Sequence, residues 1–87
     1  MFTVSVTIPN KSGLHARPAS QLSTLCRSFK NEKLRIKTPE KEIDPKSVIA
    51  VLSAGMKQGT IIQLSVEGPE EEKVGKEVAA FIEGLTE

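Results

Sequence analysis

The sequence has a single cysteine, a single histidine, no tryptophan or tyrosine, and no excess of either charge. A lone Cys26 cannot form an internal disulfide, so we expect a reducing, cytoplasmic location. The 12 basic and 11 acidic residues leave a net charge of +1, which gives no electrostatic case for a nucleic-acid-binding protein. The N-terminal MFTVSVTIPNK lacks the positive cluster of a signal peptide and the length of a membrane helix, so we expect no membrane insertion.

The pattern of apolar residues predicts the fold. Alternation of apolar and polar residues indicates half-buried strands beginning near Phe2, Leu34 and Ile62, with a short strand at Glu42–Ile43. Helical spacing predicts one helix from Ala16 and another after the last proline. Between them, Asp44-Pro45 predicts a short helix, because Asp is a favoured N-cap and proline is tolerated at the first helical position.

These elements follow the order βαββαβα. With 87 residues, we expect one domain over residues 1–87. The predicted fold is an α+β open-faced β-sandwich, in which three helices cover one face of a four-stranded, mainly antiparallel sheet.

The motif SGLHARPAS places the only histidine just before the first predicted helix. If His15 is the N-cap, then Ala16, Arg17 and Pro18 form a first turn whose backbone N–H groups lack helical acceptors and whose dipole is positive. Gly13 permits an unusual backbone angle or a close approach in the loop before it. This arrangement predicts an anion site.

Several chemistries are open to such a histidine. A neutral imidazole at a positive helix end can take a phosphoryl group on a ring nitrogen, and Arg17 adds a charged fork suited to phosphate oxygens. A plain capping or surface role for His15 is the alternative from position alone. A metal site would need more ligands than His15 and the predicted buried Cys26, so we expect no metal and no cofactor.

The motif GLHARPAS resembles the active-site segment of the HPr family, the histidine-containing phosphocarriers of the bacterial phosphoenolpyruvate-dependent sugar phosphotransferase system. The segment KSVIAVLSAGMKQGTIIQLSVEG, residues 46–68, resembles the family's regulatory-serine helix and last strand. The resemblance covers essentially the whole chain and implies the same open-faced sandwich.

The resemblance implies roles for individual residues. His15 would receive phosphate from phospho-enzyme I on Nδ1 and pass it to an enzyme II A domain, while Arg17 stabilises the phosphorylated state. Gly13, Ala16 and Pro18 would shape the phosphate site.

Ser47 matches the serine that HPr kinase/phosphorylase modifies, which implies a catabolite-control regulator as a further partner. With Asp44 as N-cap, Ser47 would be the third helical residue. A purely structural serine near the start of the helix is the alternative.

The predicted second helix also carries candidate docking residues. The resemblance implies that Val48, Ile49 and Leu52 form an exposed apolar patch that meets partner proteins, while Val51 faces the core. The alternative, that the whole run is core, is disfavoured because these four positions together span most of the helix circumference. Lys46 would be a steering surface charge or simply solvated. Two other functions are open: an HPr-like regulatory or nitrogen-branch paralogue that acts through protein contacts, and a non-catalytic anion-binding module.

Overall fold

The computed structural model describes residues 1–86. The predicted order of elements is confirmed. The helices and strands are β1 (Phe2–Thr7), α1 (Ala16–Arg27), β2 (Lys33–Lys37), β3 (Glu42–Ile43), α2 (Val48–Ser53), β4 (Ile61–Glu67) and α3 (Glu71–Glu83).

The four strands form one sheet in the spatial order β1-β4-β2-β3, and every neighbouring pair is antiparallel. The last strand in the sequence, β4, is central: Leu64 lies opposite Val4 on one side and Ile36 on the other. The predicted open-faced sandwich is therefore confirmed, with β1 and β3 as edge strands.

The two faces of the sheet differ because side chains alternate along each strand. On the face under the helices, Ile36, Ile62 and Leu64 are completely buried and form the centre of the core. On the opposite face, the side chains of Ser5 and Gln63 are exposed. The apolar stripes of α1 and α3 cover the first face, with Leu22 and Ile82 both fully buried.

The first helix ends earlier than its apolar pattern suggests. Phe29 continues the spacing of the helical stripe, but α1 ends at Arg27 with Ser28 as C-cap. Phe29 is half-buried in the turn that follows, where its N–H donates to the Cys26 carbonyl at 3.1 Å. The side chain therefore packs on the core from outside the helix.

The predicted start of α2 is wrong. Ser47, not Asp44, is the N-cap, and its Oγ accepts a hydrogen bond from the Ala50 N–H at 3.2 Å. The Asp44 carboxylate instead accepts from the Lys46 N–H at 3.0 Å, which closes a turn before the helix. Both residues are good caps, but Asp44 is used in this turn, and Ser47 stands one position before the helix rather than at its third residue.

Candidate functional site

His15 occupies the N-cap position of α1, as predicted. Its backbone is extended, with φ −84° and ψ −166°, and its carbonyl oxygen accepts the Ala19 N–H at 2.8 Å. Its side chain makes no capping hydrogen bond and is exposed to solvent. The imidazole is therefore accessible to a second molecule at the end of a helix.

The first turn of α1 is suited to hold an anion beside this imidazole. A helix offers no carbonyl acceptor to its first amide groups, and their dipoles sum to a partial positive charge. Ala16 and Arg17 supply N–H groups here, whereas Pro18, which is buried, has none. The exposed first turn thus brings two backbone donors and the Arg17 guanidinium to the same helix end as His15.

The loop before His15 is fixed by the segment after α2. Leu14 is buried, and its N–H donates to the Met56 carbonyl at 2.9 Å. Gly13 has a φ of +64°, and a Cβ at this position would lie 2.6 Å from the Lys57 Cα and still closer to the Met56 oxygen. Gly13 therefore meets both expectations from the sequence, the left-handed backbone and the close approach.

The loop also has an internal hydrogen-bonded turn. The Gly13 N–H donates to the Asn10 carbonyl at 3.1 Å, and the buried Asn10 amide nitrogen donates to the Gly13 carbonyl at 2.8 Å. Hydrogen bonds therefore hold both sides of Gly13 in the loop from which His15 projects.

The segments that form the site contain basic residues and no acidic ones. Residues 1–31 and 45–66 contain no aspartate or glutamate, and these ranges include α1, α2 and both loops beside His15. Lys11, Arg17 and Lys57 are exposed within them. Lys57 was not among the predicted site residues, although the absence of acidic residues from both ranges indicates a positive surface.

The site is open rather than enclosed. Three surface hollows of about 220, 340 and 300 Å³ lie elsewhere on the described residues, and His15 lines none of these three. An exposed helix end is accessible to another protein's active site without any opening motion.

On α2, Val48, Ile49 and Leu52 form an apolar surface that we call the docking patch. Ile49 is 79% exposed and Leu52 is 44% exposed, while Val48 is half-buried. Val51 is fully buried, as the resemblance implied. An exposed apolar patch of this kind is typical of a protein-binding surface.

Lys46 is half-buried and is not simply solvated, while a steering role for its charge stays a prediction. Its Nζ donates to the Phe29 carbonyl at 2.9 Å and to the Glu32 carbonyl at 3.1 Å.

Ser47, in contrast, is exposed at the start of α2 and is accessible to a modifying enzyme.

Residues 1–86 form neither a metal-binding cluster nor a helix able to span a membrane. They contain no group of three or more His, Cys, Asp or Glu side chains placed to hold a metal ion. Within the same range, every helix is too short or too polar to cross a bilayer.

Cys26 is buried in the core, and this burial raises the pKa of its thiol to about 12.

Comparisons with known proteins give one consistent result. A family model described as "PTS HPr component phosphorylation site" matches residues 2–84. Phosphocarrier protein HPr of Lysinibacillus sphaericus is 34% identical over 82 residues, covering 94% of this chain and 92% of the relative. Phosphocarrier protein NPr of Escherichia coli K12 is 38% identical over 84 residues, covering 95% of this chain and 93% of the relative.

The solved structures agree with these sequence matches. A crystal structure of HPr from Thermoanaerobacter tengcongensis superimposes with a TM-score of 0.88 at 35% identity, covering 95% of this chain and 92% of the other.

Proposed function

The chain belongs to the HPr family of phosphocarriers of the phosphotransferase system, and from that premise we propose that His15 accepts a phosphoryl group from phospho-enzyme I. The phosphohistidine then donates this group to an enzyme II A domain during sugar uptake. The single observation that carries the proposal is the exposed His15 imidazole, unused in capping, at the positive end of α1.

The transfer is a simple exchange at phosphorus. A lone pair on a neutral ring nitrogen of His15 attacks the phosphorus held by the donor, and the bond from phosphorus to the donor breaks with its electron pair returning to the donor. The other ring nitrogen keeps its proton. Transfer to the acceptor repeats the same step with the roles reversed, so the protein is regenerated and no redox change occurs.

The surroundings of His15 support reversible rather than permanent binding. The Ala16 and Arg17 amides and the Arg17 guanidinium stabilise the charge of the attached phosphate, and the helix dipole acts in the same direction. The site is open to solvent and supplies no acid or base of its own, so the chemistry is completed by the partner. We infer that the protein is a one-domain cytoplasmic carrier and not an enzyme.

Partner recognition and regulation involve α2. The docking patch supplies an apolar contact surface on a helix whose segment, residues 45–66, contains no acidic residue. Phosphorylation of Ser47 by an HPr kinase/phosphorylase would add negative charge to this surface at an exposed N-cap, where the helix dipole tolerates it. A catabolite-control regulator would recognise this added negative charge on the α2 surface.

A second candidate function is that of a paralogue in a regulatory or nitrogen branch. The likeness to a phosphocarrier named NPr supports it. Its chemistry at His15 would be the same, and only the identity of the donor and acceptor proteins would differ.

The test is a phosphorylation assay with phosphoenolpyruvate and purified enzyme I of either branch. We expect an acid-labile adduct on the wild-type protein, none on His15→Ala, and slower labelling of Arg17→Gln. The donor that labels the protein faster identifies the branch. Labelling of His15→Ala at the wild-type rate, or no labelling of the wild type by either donor, would refute the carrier function and leave an anion-binding module.

A further inference from the structure

We propose that Lys46 is a positioning residue, whose ammonium group fixes α2 against the C-terminal end of α1 so that His15 and the docking patch keep one relative placement. The inference rests on the proposed function, because this placement matters only to a protein that presents both features to a partner at once.

The contacts of Lys46 are those of a tether. The Nζ donates to the Phe29 carbonyl at 2.9 Å and the Glu32 carbonyl at 3.1 Å, and the side chain is half-buried. Both acceptors lie just beyond the end of α1, where the chain turns toward β2. Hydrogen bonds from an ionised donor are stronger than neutral ones, and two acceptors hold the ammonium in one direction.

A second tether joins the neighbouring residue to the middle of α1. The Ser23 hydroxyl donates to the Pro45 carbonyl at 3.0 Å, and both residues are fully buried. Pro45 and Lys46 are therefore attached to α1 at one point along the helix and one point beyond its end. Two separated attachments restrain the rotation of α2 as well as its distance from α1.

α2 needs such restraint because it is short. It has six residues, and Val51 is its one fully buried side chain among them. An isolated helix of this length is unstable in water. Ala50 and Ala54 pack on the core, and the Leu14–Met56 hydrogen bond holds the segment after α2, so Pro45 and Lys46 supply the restraint before the helix. His15 stands at the other end of α1, so any rotation of α2 would move the docking patch relative to the imidazole.

Salt distinguishes this role from that of a steering charge. A steering lysine acts through a long-range field, which salt screens over about 8 Å at physiological ionic strength. A tether acts through geometry and is insensitive to salt.

The experiment uses the protein as phosphoryl acceptor for purified enzyme I and phosphoenolpyruvate, and measures KM and kcat at low and high salt. We compare Lys46→Met and Ser23→Ala with the control Lys76→Met, which removes an exposed lysine paired with Glu72 on α3. We expect both tether variants to raise KM about tenfold at both salt concentrations with kcat nearly unchanged, and the control to behave as wild type.

Two results would overturn the proposal. If the effect of Lys46→Met disappears at high salt, Lys46 is a steering charge. If the melting temperature falls but KM is unchanged well below it, Lys46 has a structural role alone.

A second readout needs no partner. The Val51 and Ala54 amides close the helical hydrogen bonds of α2, to Ser47 and Ala50. We expect their hydrogen exchange to be faster in Lys46→Met and Ser23→Ala than in Lys76→Met, and equal rates would contradict the tether. If wild-type protein takes no phosphate from enzyme I, the proposed function fails, while this measurement still judges the tether.

Discussion

The Leu14 N–H donates a hydrogen bond to the Met56 carbonyl oxygen across 2.9 Å, and so joins the loop before His15 to the segment after α2. Gly13, next to Leu14, approaches the same segment so closely that no side chain fits between them. The position of the imidazole therefore depends on residues that are far apart in the sequence.

This close approach predicts that Gly13→Ala is more harmful than a matched change at Gly55. Both glycines have positive φ, +64° and +65°, but a Cβ at Gly55 would meet nothing within 4 Å. Each substitution costs about 1 kcal/mol of backbone strain, and Gly13→Ala costs roughly 1–3 kcal/mol more because backbone atoms must move. Urea unfolding measures the free energy of unfolding of each variant. Equal losses of stability in the two variants would show that the contact at Gly13 is unimportant.

The docking patch and the core of α2 should respond in opposite ways. Ile49→Ser removes an exposed side chain, so we expect a stability change within about 0.5 kcal/mol but a KM for enzyme I raised about tenfold. Val51→Ala should cost roughly 2 kcal/mol of stability, because it leaves a cavity in the core. Thermal unfolding measures the loss of stability, and acceptor kinetics measure the rise in KM. An unchanged KM for Ile49→Ser would show that Ile49 does not belong to the docking patch.

The N-cap at Ser47 predicts different results for two common substitutions. Ser47→Ala loses the acceptor for the Ala50 N–H and should cost about 1 kcal/mol, whereas Ser47→Asp keeps a good cap. We expect the melting temperature of Ser47→Ala to fall by about 4–8 °C and that of Ser47→Asp to stay near wild type. If the two variants have the same melting temperature, the side-chain cap contributes nothing measurable to stability.

The buried thiol of Cys26 predicts a loss of stability in alkali. Burial, with a smaller effect from the Asp44 carboxylate, raises the pKa of the folded thiol from 9.0 to about 12. Above pH 9 the unfolded chain releases this proton and the folded chain retains it, so stability falls as pH rises from about 9 toward 12. The slope approaches about 1.4 kcal/mol per pH unit.

Urea unfolding at several alkaline pH values measures this slope, with Cys26→Ala as the control. The chain has no tyrosine, so phenol ionisation does not contribute, and the lysines affect both proteins alike. If the free energy of unfolding depends on pH in the same way for the two proteins, the thiol titrates normally in the folded state.

The sequence was sufficient to predict the sheet, the three helices and the place of His15, because each depends on local spacing. The start of α2 could not be predicted, because Asp44 and Ser47 are both good caps and the sequence does not show that Asp44 closes the turn before the helix. The hydrogen bonds of Lys46 could not be predicted either. The sequence gives the charge of a long flexible side chain but does not indicate which acceptors it reaches.

The central place of β4 in the sheet has a consequence for how the protein is made. Both β1 and β2 take β4 as their neighbour, yet β4 follows both of them in the sequence and is synthesised after them. Until residues 61–67 have emerged from the exit tunnel, β1 has no strand to pair with and the sheet consists of the short β2–β3 pair alone. The sheet therefore depends on pairing between residues that are far apart in the sequence, and it cannot be completed before residues 61–67 are available.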